Sequence, residues 1–255
     1  WGAAPRSTNF REEWQGTLWD DINVGSMEEE AKTLAKTIKG LDKRLRNFDA
    51  YVGLDTFLKN FLVTLPAVSD LRSPSMRERH WKLLMTVTGV EFDMGADFSL
   101  AHLTALQLHK FVDDVGEVVD RAVKEDKMEQ TLAKLKVTWA VVDFEFDQHR
   151  DTDVYLMKMK EEDFETLEDN QLVVQGMMAS KYLPTFEEEV TGWQKKLGNV
   201  SDVLAQMTEV QRKWAYLETL FIGSDEVKKE LPESTERFVG IDKTFKQCLG
   251  AIHKI

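Results

Sequence analysis

The chain has 255 residues, of which 42% are hydrophobic, and its 33 basic and 45 acidic residues give a formal net charge of −12. This apolar content supports a buried core and excludes wholesale disorder, while the acidic balance disfavours nucleic acid as a partner. The single cysteine, Cys248, excludes an intrachain disulfide framework and a multi-cysteine zinc site, and no apolar run is long enough to cross a membrane. We therefore expect an intracellular piece of a longer chain, since apolar leader and initiator Met are both missing.

The N-terminal third is predicted to be an irregular segment followed by one long helix. Residues 1–26 are mixed and rich in tryptophan. Ser26, with Glu29 three residues later, has the pattern of a capping box at a helix start. Apolar residues then recur at alternating steps of three and four as far as Leu65, and Pro66 is expected to end the helix there.

Two short helices and a loop are predicted next. Ser73 is suited to cap a helix and Pro74 to occupy its first position, which predicts a helix over Met76–Val87. The glycines of Gly89–Asp97 indicate a loop, and Ser99–Leu108 reads as a second short helix.

A long helix is predicted over Lys110–Phe146, with an apolar stripe that Glu125 and Glu129 interrupt. At 1.5 Å per residue it would span roughly 50 Å. Near its end the period changes from helical to alternating, which predicts a β-hairpin around residues 143–159. An acidic helix is expected over Glu161–Ser180.

A second long helix is predicted to open at Pro184 and to run for about 38 residues, or roughly 57 Å. Gly223 is a suitable stop signal, a short helix over Asp225–Glu230 follows, and a last helix begins near Pro232. The apolar stripe of the long helix steps without a miss through Phe186, Val190, Trp193, Leu197, Val200, Leu204 and Met207, and continues at Val210, Trp214, Leu217 and Phe221.

The predicted fold class is all-α: an elongated rod of long antiparallel helices packed in bundles, with one small β-hairpin. A compact globule of this length would be only about 35–40 Å across, which is too short for either long helix. Antiparallel packing of neighbouring helices along their apolar stripes is the natural solution.

The search for catalytic chemistry gives no candidate catalytic, cofactor-binding or metal-ligating residue. Neither glycine-rich phosphate-binding pattern occurs in the chain. His102 and His109 share a helix face but lack the glutamate of a zinc-protease helix. The alternating acids of Asp147–Asp153 resemble the start of a calcium loop, yet the required glycine is missing, and a solvated hairpin tip is the alternative.

Three further features allow two interpretations each. The acidic run 161–169 reads as paired catalytic carboxylates, or as a solvated face that meets a basic partner. Trp81 reads as an interface anchor or as part of the core. Asp151 and Asp153, at the expected hairpin tip, read as an interface or as part of a plain connector.

Several ordered segments resemble the linker region of dynein heavy chains. They are Leu71–Leu84, Leu167–Gln175, Phe186–Leu197, Val210–Glu218, Leu220–Ser224 and Leu231–Phe238. The resemblance covers about residues 65–250, so 66–255 would be the N-terminal and middle part of the linker. Residues 1–65 would form the end of the tail and the first linker helices. Phe92, 106–109 and 240–242 favour axonemal, outer-arm-type heavy chains.

The resemblance implies part of a motor that moves along microtubules in the cytoskeleton, in a cilium or flagellum axoneme. The linker of such a motor is a helical arm that bends and straightens over a ring of ATPase modules, and this swing is the power stroke. ATP and Mg would be cofactors of the full-length chain only, so this fragment would not be an enzyme. The implied partners are the ring of the same heavy chain, the microtubule through the rest of the motor, and dynein light and intermediate chains, but neither nucleic acid nor membrane.

An arm that bends needs a compliant place. Glycine inside a helix costs roughly 1 kcal/mol relative to alanine, and Gly198 and Asn199 lie in the second long helix, so they are the candidate hinge. The alternative is that they permit close packing of a neighbouring helix.

Two other functions remain open from the residues alone. One is a passive helical scaffold or adaptor rod, and the other is a bundle enzyme with a carboxylate-metal site, which would need Glu-x-x-His pairs.

Overall fold

The computed structural model describes residues 12–254, which fall into two compact units. The first unit extends to Lys127 and the second begins at Met128. The helices are α1 (Val24–Lys39), α2 (Asp49–Leu71), α3 (Glu78–Thr88), α4 (Leu100–Ala105), α5 (Val112–Trp139), α6 (Glu161–Met178), α7 (Glu187–Phe221), α8 (Asp225–Glu230) and α9 (Pro232–Ile252). Strands β1 (Glu145–Gln148) and β2 (Tyr155–Lys158) form one antiparallel hairpin.

The predicted all-α class with one small β-hairpin is confirmed, because the described residues are mainly helical and β1 and β2 form that hairpin. None of the helices among residues 12–254 is long and apolar enough to span a membrane. The boundary predicted between residues 65 and 66 falls inside α2 and inside the first unit. The division into tail and linker segments stays a prediction.

The start of α1 differs from the prediction. The irregular segment expected over residues 1–26 lies outside the described residues up to residue 11, but residues 12–16 are helical. Asn23, not Ser26, caps α1: its Oδ1 accepts a hydrogen bond from the Ser26 backbone N–H at 3.1 Å. Asparagine is at least as good a cap as serine, so the earlier cap sets the helix start.

The single helix predicted up to Leu65 is in fact two. The first, α1, ends at Lys39, and a 3₁₀ turn over Lys43–Asn47 leads into α2. The side chain of Asp42 caps this turn by accepting from the Arg44 backbone N–H at 2.9 Å. The apolar periodicity continues across the break, so spacing alone does not reveal it.

Pro66 does not end α2, which continues to Leu71. An interior proline removes one hydrogen bond and costs about 3 kcal/mol. The side chains around it, including Leu65, Val68 and Leu71, are almost fully buried. Each such burial contributes about 1.5–3 kcal/mol, so packing overrides the local penalty.

The N-cap of helix α3 lies four residues beyond the predicted Ser73 cap. Arg77 is its N-cap residue, and the Arg77 backbone N–H donates to Nδ1 of His80 at 3.0 Å. The next short helix, α4, starts after Ser99 as predicted, but it ends at Ala105 and a 3₁₀ turn follows.

The core of the first unit contains a group of aromatic rings around Trp81. Trp81 is buried and makes edge contacts with Trp19, Phe92 and Phe98, with ring centroids 5.7–6.3 Å apart. These geometries are favourable for aromatic pairs. The ring proposed as an interface anchor is therefore used inside this unit and not at its surface.

A buried carboxylate lies on the apolar face of α5. Glu125 is fully buried and follows Val118 and Ala122 at helical spacing. Its Oε1 accepts from Nε of Arg121 at 2.7 Å, and its Oε2 accepts from Nε of Arg79 at 2.5 Å. Two cations and several hydrogen bonds satisfy a charge that would otherwise be very costly to bury.

His80 is a third partner of Glu125 and connects α3 to the same carboxylate. Nδ1 of His80 already accepts from the Arg77 backbone, so its proton is on Nε2, which donates to Oε2 of Glu125 at 3.1 Å. Burial lowers the pKa of His80 below its ordinary value of 6.5, against the opposite pull of the carboxylate. The arginines Arg79 and Arg121 act in the same direction as burial.

The second unit begins inside α5, which ends at Trp139 and not at Phe146 as predicted. The alternating stretch that ends in Phe146 belongs instead to β1, where Phe146 pairs with Met157 of β2. The predicted hairpin over 143–159 is thus confirmed. The change from a helical to an alternating period indicates the end of α5 better than the continuing apolar stripe does.

Helices α6 and α7 pack against each other in antiparallel directions. The Gln171 side chain donates to the Leu197 carbonyl at 3.3 Å, and Thr191 lies against Met178, so positions rise on one helix as they fall on the other. Val190, Trp193, Leu197 and Leu204 are buried in the core of this unit, as the predicted stripe requires. Pro184 does not open α7: it sits in a preceding 3₁₀ turn.

The lowered pKa of His80 predicts a pH-dependent stability. As the pH falls, the unfolded chain takes up this proton before the folded chain does, so the stabilisation is complete above about pH 6.5 and is lost below it. We expect the free energy of unfolding of the wild type to fall more steeply between pH 6.5 and 5.5 than that of His80→Gln. Urea titrations at several pH values measure this difference.

Glutamine is the matched replacement, because its amide oxygen can accept from the Arg77 backbone while its amide nitrogen donates to Glu125. Above pH 7.5 the two proteins should respond equally to pH. Parallel curves over the whole range would contradict the assignment of His80 as the neutral donor.

Candidate mechanical joint of the long helix

The C-terminal half of α7 presents a buried face that is partly polar. Gln211, Trp214 and Glu218 are spaced by three and four residues and are 8%, 3% and 8% exposed. Such spacing places all three on one side of the helix. Together with the hairpin and α9 residues described below, they form what we call the hairpin joint.

Gln211 binds the outer edge of β2. Its Oε1 accepts from the Met157 backbone N–H at 2.8 Å, and its Nε2 donates to the Met157 carbonyl at 2.9 Å. In the hairpin, the backbone N–H of His149 donates to the Val154 carbonyl, so these two residues form a hydrogen-bonded pair. Such pairs alternate along an antiparallel hairpin with pairs that are not hydrogen-bonded to each other. Phe146 and Met157 form a pair of the second kind, and their backbone polar groups point outward. A single side-chain amide therefore completes the hydrogen bonding of Met157 as a third strand would.

Glu218 receives the hairpin loop. Nε2 of His149 lies 2.9 Å from Oε2 of Glu218, and Arg150 reaches the same oxygen at 3.4 Å. Arg150 also donates to Oγ1 of Thr219 at 2.7 Å. Its φ of 55° is the left-handed conformation that turns the chain at this point.

Helix α9 joins the same face of α7. Nε1 of Trp214 donates to Oδ1 of Asp242 at 2.9 Å, and Lys246 pairs with Asp242 at 3.0 Å and with Glu218 at 3.7 Å. The ring of Phe221 stacks on that of Phe238, with centroids 5.5 Å apart. Positions therefore fall along α9 as they rise along α7, so the two helices run antiparallel. The polar residues on this face are thus paired across α7, α9 and the hairpin.

The end of α9 also contacts the hairpin directly. The ring of His253 stacks on Tyr155, with centroids 4.1 Å apart, and meets Phe146 edge to face at 5.0 Å. Both strands therefore carry an aromatic side chain that holds α9 in place.

The acidic residues predicted as an interface lie at the exposed tip of this hairpin. Asp151 and Asp153 are exposed, directly after the two residues that bind Glu218. The joint thus presents both carboxylates to solvent from a fixed base. The other interface candidate, Trp81, belongs to the first unit.

The candidate hinge lies in an uninterrupted part of α7. A Cβ atom added to Gly198 would meet no atom within 4 Å, so close packing of a neighbour does not require glycine there. Asn199 is exposed, and the preceding carbonyl of Leu197 accepts the Gln171 side chain. The packing interpretation of Gly198 therefore loses its support, while the hinge stays a prediction.

Candidate metal ligands do not come together in the part of the chain that the structure describes. Among residues 12–254, no group of three or more His, Cys, Asp or Glu side chains is placed to hold an ion. His102 instead accepts from the Ser99 backbone N–H at 3.1 Å.

Sequence reasoning missed the polar members of the joint. The apolar stripe pointed to Val210, which is 45% exposed, and passed over its neighbour Gln211. The available signal was the alternation of the stripe itself, because steps of four and three residues beyond Met207 lead to Gln211, Trp214 and Glu218.

Comparisons with known proteins agree with the resemblance seen in the motifs. The family model "Dynein heavy chain, N-terminal region 2" matches residues 1–255. The chain is 54% identical over 245 residues to the flagellar outer-arm dynein alpha chain of Chlamydomonas reinhardtii, covering 96% of this chain and 5% of that protein. It is 48% identical to the ciliary dynein beta chain of Tripneustes gratilla, covering 95% and 5%.

Dynein axonemal heavy chain 9 of Homo sapiens is 45% identical over 255 residues, which is all of this chain and 6% of that protein. The chain thus spans about one twentieth of the length of these relatives. The axonemal and outer-arm character predicted from the sequence is confirmed by these relatives. The matched part is an N-terminal region and not the ATPase ring, and the chain belongs to the dynein heavy chain family.

Proposed function

We propose that this chain is part of the linker, the mechanical arm that bends and straightens over the ATPase ring during the power stroke. The observation that carries the proposal is the construction of α7. This helix is 35 residues long, and its two halves are held by different partners: α6 along the first half, and the hairpin joint along the second.

Lateral support of this kind makes a helix suitable for transmitting force. An isolated helix gains little stability beyond its own hydrogen bonds, whereas a packed face adds tertiary contacts along its length. The second half of α7 has hydrogen bonds and ion pairs to both the hairpin and α9. Bending this half would break several of them together, so we assign it the role of a stiff section.

Compliance is assigned to the first half, at Gly198 and Asn199. Glycine adds backbone freedom, and its site has open space beside it. The carboxylates of Asp151 and Asp153 are proposed to contact the ring of the same heavy chain. The rest of the motor would supply ATP hydrolysis and microtubule binding, and light and intermediate chains are further proposed partners.

The arm function is tested in the full-length heavy chain by energy transfer between dyes. One dye is attached through Glu230→Cys, an exposed position, and the other to the ATPase ring. We expect the distance between the dyes to change between the ATP-bound and nucleotide-free states. A distance that stays constant would favour a passive helical scaffold or adaptor rod instead.

The hairpin joint predicts a large effect for Gln211→Leu. Leucine fits an apolar face, but it leaves the buried Met157 N–H and carbonyl without partners, at about 1–3 kcal/mol each. We expect the free energy of unfolding to fall by about 2–4 kcal/mol, measured by urea denaturation. The matched control is Gln206→Leu on the exposed face of the same helix, expected to change stability by less than about 0.5 kcal/mol. Equal effects of the two variants would show that Gln211 does not stabilise the hairpin joint.

The hinge predicts that Gly198→Ala stiffens α7. Alanine stabilises a helix interior by about 1 kcal/mol relative to glycine, and the open site accepts its methyl group. In the complete motor we expect slower microtubule gliding and a smaller arm swing, and Asn199→Ala should act in the same direction. Gly192→Ala is the matched control, because it lies in the same helix with equally open space. Unchanged velocity and swing in Gly198→Ala would place the bend elsewhere.

A further inference from the structure

Helix α6 exposes apolar side chains directly after an acidic stretch. Leu172 is 66% exposed and Val173 is 43% exposed. Glu165 and Glu168 lie on the same side of the helix as Leu172, at steps of three and four residues. An exposed leucine one turn beyond a row of carboxylates is poorly placed in water and well placed to meet a partner.

A groove of about 550 Å³ lies beside Leu172, between α6 and α7. Leu172, Val174 and Leu197 supply apolar lining, and Gly198 contributes no side chain to the floor. Its polar lining includes Gln175 and Gln194, whose amides can donate to and accept from another main chain. The groove can therefore take one apolar side chain and hydrogen-bond the backbone that carries it.

The charge on the α6 side of the groove defines what fits. Glu161–Met178 contains six acidic residues and no basic one. Among the described residues, no ion pair engages Glu165, Glu168 or Asp169, whereas elsewhere such pairs are common. These carboxylates repel an acidic surface and attract lysine and arginine.

We propose that this groove docks a lysine- or arginine-rich segment of the same heavy chain, which inserts one large apolar side chain beside Leu172. The source follows from length, because about nineteen twentieths of each relative lies outside the matched region. The inference rests on the proposed arm function. An arm that swings must meet another part of the motor at one end of its swing, and the groove lies next to the candidate hinge at Gly198. Docking there would also hold α7 at its candidate hinge.

Site-specific photocrosslinking in the full-length heavy chain tests the proposal. A benzophenone amino acid replaces Leu172. In a control it replaces Tyr216, which is equally exposed but lies about 27 Å along α7 from Gly198 of the groove. We expect position 172 to cross-link to a heavy-chain peptide of net positive charge, more strongly in one nucleotide state, while position 216 gives no such product.

The double variant Glu165→Lys and Glu168→Lys provides the charge test. Both side chains are exposed, so the fold should be kept, which circular dichroism checks. We expect the cross-link yield at position 172 to fall by at least about threefold, because two attractive pairs become repulsive. A yield that is unchanged in this variant would overturn the proposal.

The remaining outcomes separate the docking proposal from the arm function. A cross-link to a separate subunit, to an acidic or neutral peptide, or to nothing above the control would overturn the docking site. If the dye distance still changes with nucleotide in those cases, the arm function stands without it. If the positively charged heavy-chain peptide is captured while the dye distance stays constant, the docking site stands and the swinging arm does not.

Discussion

The second unit depends on one constraint: a single helix, α7, must bury one face along 35 residues. Its first half meets this constraint with apolar side chains against α6. Its second half cannot do so with apolar contacts alone, because the edge of β2 brings unpaired backbone groups to the helix. Gln211 and Glu218 satisfy those groups and the loop residues beside them. The same face is thus apolar where it meets α6 and partly polar where it meets the hairpin and α9.

The sequence predicted much of this fold because apolar periodicity reports directly on helix faces. The limits of the short helix α8 and the start of α6 agree with the predictions, and so does the hairpin interval. Errors occurred where a local rule met stronger packing. Pro66 was expected to end a helix that its buried neighbours continue, and Ser26 was expected to cap a helix that Asn23 starts earlier.

Buried polar side chains are the features that the sequence patterns do not predict, both in the first unit and in the hairpin joint. Glu125 was seen only as an interruption of an apolar stripe, although it lies on the buried face and binds Arg79, Arg121 and His80. The predicted stripe contains Val210 and passes over its neighbour Gln211. Apart from the local pair with Arg121, which is four residues away, these contacts depend on residues 45 to 54 positions away, and a single sequence contains no periodic signal for them.

The contact between Gln211 and Met157 has a consequence for the order of assembly. The two residues are 54 positions apart, so their hydrogen bonds close a loop that contains all of α6 and the turn before α7. Closing a free loop of that length costs about 3–4 kcal/mol of chain entropy, more than two net hydrogen bonds return. The contacts between α6 and α7 must therefore form first, beginning at the turn that joins the two helices. Once they have formed, the Gln211 amide binds Met157 reversibly, and this contact opens whenever α6 and α7 separate.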